Sequence, residues 1–493
     1  MSRSLPWYAA RFLGMAAMFV CLLPAAAAPT VFEYPQWTDW GGNTHPMRDV
    51  EVQFWDEDVQ FHDLLGTHQT SNVGEASQDE AGADGPFGSP DPFEIIRFVN
   101  GRVFVAPDAN VANTYTFQTP TLNDLGFDIQ RIVTFDGTDN IGRSASVHQA
   151  ILFMHEYATN TLGAAAPQAP VRFPSNPVGT SASGQRINIE RNVWSSWDVI
   201  HHEFGHFLAD HNALDGANLG LGHSFGQDLI NRYDADRGTR LAWQEGLATY
   251  LAISAQEAGM VRTVVPDLPM DVGNRLYQDL DIGFSVPLET GHGLTEGDES
   301  AVMRILWDLY DANNVAEAYP EDNEYSDKWA LGDRAVFDLM RNNTTLKDMW
   351  VDVLKPNPRR TAELGEVFER YGVSSVLQAP GDDVTANAGP VTFDWQDRNN
   401  GHSTQFQVLV YDAAFTNLVL SSPILNNITT WTTPMPMMPG SYNWVALNNS
   451  VADNATMYWS GAYQFTLVAI PEPSAVWLLV VGVSGGALGR RRR

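Results

Sequence analysis

The chain has 493 residues and carries 59 acidic against 29 basic side chains, a formal charge of −30 at pH 7. A field of that sign excludes nucleic acid and anionic membrane surfaces as favourable partners. A single cysteine excludes a disulfide framework, so stability rests on packing and any bound metal.

Taken in chain order, residues 1–27 read as a secretory signal peptide. Arg3 and Arg11 supply the charged start, residues 12–23 an apolar stretch, and Pro24 and the alanines from Ala25 to Ala28 a small-residue cleavage region. Cleavage after Ala27 is preferred, because cutting after Ala28 would leave Pro29 first. Cys21 lies inside this segment, and Met18-Phe19-Val20 before it is not a lipobox. The mature chain is therefore expected to lack cysteine. Its length suits about three domains.

Residues 30–123 are rich in strand signals. Val50-Glu51-Val52-Gln53-Phe54-Trp55 alternates, as do residues 95–105 and 115–117 around polar turns. The pattern suggests a small transthyretin-like or immunoglobulin-like β domain with an acidic end. Its cluster Asp56-Glu57-Asp58, with Asp63, could hold Ca2+ through oxygen ligands, but EF-hand spacing is absent, and a solvated acidic loop is the simpler expectation.

Residues 124–377 turn mainly helical. Residues 144–160 read as a helix, and Arg172-Phe173 and residues 187–189 as short strands at an edge able to pair with an extended peptide. Ser195 followed by Asp198 predicts a helix start near Trp197. Trp197, Ile200, Phe204, Phe207 and Leu208 then recur at helical spacing as one apolar stripe. On the other side of that helix stand the two histidines of His202-Glu203-Phe204-Gly205-His206. Positions i and i+4 lie about one turn apart, so both imidazoles can reach one ion while Glu203 serves a metal-activated water as base. Downstream comes Trp243-Gln244-Glu245-Gly246-Leu247-Ala248-Thr249-Tyr250. A carboxylate there would complete a three-ligand site with one open position, the pattern of catalytic rather than structural zinc.

These two motifs together resemble the gluzincin metallopeptidases, which include thermolysin-like enzymes and the M1 aminopeptidases. The resemblance implies His202, His206 and Glu245 as Zn2+ ligands, Glu203 as general base, and a protein or peptide substrate. Two departures stand: the gap from His206 to Glu245 is longer than in either named group, and Gln244 replaces the usual asparagine. An insertion over residues 210–240, with glycines at 216, 220, 222, 226 and 238, accounts for the gap. The metzincin pattern fits worse. His211 falls nine residues after His202 instead of ten, and Ala209 stands where a glycine bend is needed, so His201 and His211 are expected outside the ligand set. His223, Tyr250 and His292 are the candidates for stabilising an oxyanion.

Val302, Ile305, Leu306, Leu309 and Tyr310 predict a core helix, and three more helices are expected at residues 335–340, 346–354 and 362–371. Residues 380–468 return to short strands (391–395, 406–411, 418–420, 442–447) punctuated by Asn, Gly, Pro and Ser, as in a fibronectin-III-like sandwich. Trp431 and Trp444 are expected in its core, with sugar stacking as the alternative. Residues 471–493 contain Pro471-Glu472-Pro473, an apolar run over residues 475–488, and four terminal arginines. This order resembles the PEP-CTERM sorting signal of Gram-negative bacteria that make extracellular polysaccharide. It implies processing by an exosortase-type enzyme, association with extracellular polysaccharide, and an exported protein held transiently in a membrane by its C-terminal segment.

The expected fold is thus multidomain α+β: an N-terminal β-sandwich, a zincin-like, mainly helical catalytic domain with a small sheet, and a C-terminal β-sandwich. The expected activity is hydrolysis of peptide bonds. The alternative is a silent surface or matrix protein that uses a peptidase-like scaffold for binding; the intact Glu203 argues against it, since a retired site has no chemical need of that base.

Overall fold

The computed structural model describes residues 29–39, 41–57, 62–79, 91–123, 127–216, 219–258, 276–279, 284–287, 294–310, 329–353 and 358–469. The chain is mixed α+β, with several sheets and, among the described residues, eight α-helices. Residues 1–27 and 471–493, expected as a signal peptide and a sorting signal, lie outside these residues, as does His292.

Two sheets form from the first part of the chain. In one, Glu51–Glu57 is flanked by His62–Gln69 and Pro92–Arg97, with Thr116–Gln118 beyond, all antiparallel. Strict alternation along Glu51–Glu57 buries Val52, Phe54 and Asp56 and turns their neighbours outward. In the other, Thr30–Thr38 pairs antiparallel with Thr44–Pro46 and Ala76–Asp79, and in parallel with Ile129–Phe135. A third sheet has the order Ser181–Ser183, Arg186–Asn188, Ala169–Arg172, Val103–Ala106. Segments on both sides of residue 123 therefore share sheets. The parallel pairings that join them are non-local, so their strands need long connections.

The helices are α1 (Asn140–Glu156), α2 (Trp197–Asn212), α3 (Leu229–Arg232), α4 (Ala235–Glu257), α5 (Glu299–Tyr310), α6 (Asp333–Met340), α7 (Leu346–Val353) and α8 (Pro358–Arg370). Helix α2 packs between α1 and α4, and α4 packs on α5. The predicted stripe Trp197, Ile200, Phe204, Phe207 and Leu208 is wholly buried, with Trp197 stacked on Trp37 at 5.2 Å between ring centroids. One continuous core runs from Val31 and Phe54 through α1, α2, α4 and α5 to Phe368 and Tyr458. Helix α2 continues through Ala209 and stops at Ala213, whose φ of 55° reverses the chain.

Residues beyond α8 build two facing sheets. One comprises Val376–Ala379, Thr392–Gln396 and Thr430–Thr432; the other is centred on Gly440–Asn449, Gln405–Asp412 and Tyr463–Val468. Phe393, Trp395, Val408, Val410, Trp444 and Phe465 fill the space between them, while Trp431 is partly buried against Phe393. This unit is locked to the helices. The Gly461 amide donates to Glu369 Oε2 on α8 at 2.8 Å, and Ser450 Oγ and the Val451 amide donate to the buried Glu296 carboxylate just before α5.

Burial at that junction pushes the Glu369 carboxyl up to about 8. An acid raised in the folded state adds stability that is complete below the unfolded value and is lost as pH rises through the folded one. Denaturant melts of the wild-type protein should therefore weaken between about pH 4.5 and pH 8. Glu369→Gln, which keeps an acceptor for Gly461, should flatten that decline by an amount on the order of a few kcal/mol. An unchanged slope in the variant would remove Glu369 as its source.

The anchoring expected for the C-terminal segment has to be corrected. Among the described residues no helix is long and apolar enough to cross a membrane. The apolar run over residues 475–488 lies outside them, and it is shorter than the roughly 20 residues a spanning helix needs. The membrane-anchored localisation is accordingly dropped.

Candidate metal centre

Helices α2 and α4 meet where each carries a small residue. A Cβ on Gly205 would lie 2.9 Å from the Ala248 backbone, and a Cβ on Gly246 would lie 2.5 Å from Val302 Cβ and 2.6 Å from Glu299 O. The glycines inside the two motifs thus let α2, α4 and α5 approach closely enough for side chains of all three to converge. Gly246→Ala should cost about 1–3 kcal/mol of stability through overpacking and should weaken metal binding as well. Thermal unfolding beside a zinc titration would measure both, and a fully stable variant with undisturbed zinc affinity would contradict the packing argument.

The predicted ligands come together. His206 Nε2 is 3.1 Å from His202 Nε2 and 3.1 Å from Glu245 Oε2, and His202 Nε2 is 3.2 Å from Glu245 Oε2. Donors bonded tetrahedrally to zinc at about 2.0–2.1 Å stand roughly 3.3 Å apart, so two imidazoles and a carboxylate at these separations fit the ion in spacing and in chemistry. His202 Nδ1 lies 2.9 Å from Thr249 Oγ1, a hydrogen bond that orients the ring; with Nδ1 as its donor, Nε2 is left as the lone-pair nitrogen. The charges agree with a cation-binding role. Burial alone would raise the Glu245 carboxyl, yet the two imidazoles hold it well below the usual range. Burial alone would lower His206, yet Glu245 lifts it to about 9.

Glu203 is buried on α2, and burial raises its carboxyl even though His206 and His202 pull it down. That is the environment of a base poised to accept a proton. Of the oxyanion candidates, His223 reaches the cluster: its Nε2 lies 3.6 Å from Glu245 Oε2 and 3.2 Å from Glu299 Oε2. Tyr250 is buried beside Tyr310 and is not in the ligand group. His201 is fully buried, and His211 Nδ1 donates to Phe207 O at 2.8 Å; neither joins the ligands. The acidic end near Asp56 forms no such group among the described residues, and Asp56 Oδ1 accepts from the Asp91 amide at 2.7 Å.

Sequence reasoning missed the roles of Thr249 and Glu299. Thr249 stands four residues after Glu245 on the same helix face, a spacing that could have found it. Glu299 opens α5 with no motif to mark it. The structure also explains the longer gap after His206. Trp243 Nε1 donates to Leu214 O at 2.7 Å, while Gln244 Nε2 donates to Asp215 O at 3.2 Å and Gln244 Oε1 accepts from the Leu219 amide at 3.3 Å. The residues before Glu245 thereby pin the inserted segment that carries His223.

No family model matches the chain, and no curated protein does. Among solved structures, CopC from Methylosinus trichosporium OB3b is similar at 16% identity over 20% of this chain and 99% of its own, with a TM-score of 0.16. A 9R-lipoxygenase from Cyanothece PCC8801 is similar at 10% identity over 92% of this chain and 43% of its own, with a TM-score of 0.19. The chain thus spans less than half the length of that lipoxygenase, and neither likeness bears on what the site does.

Proposed function

We propose that the protein is a zinc-dependent peptidase with a gluzincin-like centre. In this reading residues 124–377 are a zincin-like catalytic unit that shares sheets and core with strands of the β-rich residues 30–123, and residues 380–468 are a fibronectin-III-like sandwich. The observation that carries the reading is the convergence of His202 Nε2, His206 Nε2 and Glu245 Oε2, each pair 3.1–3.2 Å apart, with Glu203 buried between the histidines in sequence.

When bound, zinc supplies Lewis acidity, making water more acidic and polarising a carbonyl oxygen. His202, His206 and Glu245 would hold the ion. Glu203 accepts the proton of the attacking water at its carboxylate and passes it to the leaving amine. Thr249 keeps His202 oriented. Ser181–Ser183 ends the sheet order beside α2 and offers an extended peptide a strand to pair with.

The test is incubation of the purified protein with a peptide library, reading new amino termini by mass spectrometry. Cleavage that stops on chelation and returns with zinc is expected. Retention of peptides without any new termini would favour the binding scaffold instead.

A further inference from the structure

A second triad adjoins the first. His223 Nε2, a Glu245 carboxylate oxygen and a Glu299 carboxylate oxygen all lie within 4.8 Å of one another, and the two triads have Glu245 alone in common. We propose that His223, Glu299 and Glu245 form a second divalent-cation site, with Glu245 bridging the two ions.

Three observations point there. First, the imidazole is set up as a donor. His223 Nδ1 lies 3.4 Å from Leu221 O, an oxygen that can only accept, so Nδ1 carries a proton, and Nε2, which pairs with Glu299 Oε2 at 3.2 Å and stands 3.6 Å from Glu245 Oε2, is the nitrogen a cation would claim in place of its proton. Second, Glu299 is only 3% exposed, and its Oε1 has no hydrogen-bond partner. A buried carboxylate oxygen with nothing donating to it is costly, and a cation satisfies it. Third, among the described residues the ion-pair partners of Glu245 and Glu299 are histidines. Two neighbouring carboxylates therefore have no permanently charged partner in this set.

The elements that build the triad are held firmly. Glu245 and Glu299 come from α4 and α5, which touch at Gly246, and the segment with His223 is tied to Trp243 and Gln244. One nitrogen and two carboxylates suit Zn2+ or Mn2+. Two ions bridged by a carboxylate about 3.5–4 Å apart make a recurrent hydrolytic arrangement. This site rests on the proposed zinc reading only through the sharing of Glu245.

The experiment is calorimetric titration of the metal-stripped full chain with zinc chloride, with anomalous diffraction from zinc-soaked crystals. The wild type should bind two equivalents and show two adjacent peaks. His223→Ala and Glu299→Gln should each bind one, at His202 and His206. His202→Ala should keep the equivalent at His223. Glu299→Gln is nearly isosteric, and circular dichroism of the stripped proteins checks that each variant folds. Saturation of the wild type at one equivalent with one peak overturns the proposal, whether His223 is then a fourth ligand of that ion or an ion-paired imidazolium. The two readings fail separately. Peptide cleavage with a single zinc would sink the second site alone, whereas two zincs without cleavage would sink the peptidase alone.

Discussion

Glu203→Gln is expected to leave zinc at His202, His206 and Glu245 while peptide hydrolysis falls by about a hundredfold to ten-thousandfold, the usual worth of a general base. The amide matches the carboxylate in size, so the α2 packing around Phe204 and Phe207 stays intact. What disappears is a proton acceptor whose carboxyl burial has already raised. Zinc content by elemental analysis and steady-state rates on one peptide would measure both effects. A variant with near-normal turnover would remove Glu203 from the mechanism and leave the metal site untouched.

The second large effect concerns the ligand from α4. Glu245→Ala takes away the carboxylate that stands 3.1–3.2 Å from both imidazoles, and two histidines cannot close a tetrahedral cage. Zinc affinity should fall well beyond the roughly tenfold to hundredfold loss typical of outer-sphere partners. Thr249→Ala supplies the comparison, because it removes only the hydrogen bond to His202 Nδ1 and should fall within that smaller range. Competition titration against a zinc-binding dye would rank the two. Full zinc retention by Glu245→Ala would refute the third ligand and reopen the assignment around His223 and Glu299.

The two histidines of the proposed ligand set were legible in the sequence because their geometry is local, whereas Glu245, on another helix, entered only through the motif resemblance. His202 and His206 are one turn apart, and the helix that carries them is defined by its own apolar stripe. Helices α5, α6, α7 and α8 were legible for the same reason and begin or end within a few residues of their expected bounds. The His223–Glu299 contact was not legible, since it joins an insertion to a helix start 76 residues later, and no spacing rule connects them. Strand alternation showed which side chains face inward along Glu51–Glu57, but it could not show that Val103–Ala106 pairs with Ala169–Arg172, nor that Thr30–Thr38 pairs with Ile129–Phe135. Parallel partners are chosen by long-range packing, which leaves no local mark. Glu33 shows the limit of patterning from the other side. It occupies an inward position between Val31 and Pro35, fully buried, with its carboxyl pushed by burial up to about 9. Hydrophobic pattern alone would not place an acid there.

The dual role proposed for this one cluster of side chains is to hold zinc and to cut peptide bonds. Its most direct test is a single preparation of the full chain, stripped by a chelator and reloaded stepwise with zinc, with bound metal and peptide cleavage measured at each step. No cleavage is expected in the stripped protein, rising cleavage with occupancy of the His202–His206–Glu245 site, and none at any occupancy in Glu203→Gln. Zinc filling that site without cleavage of any peptide in a broad library would contradict it.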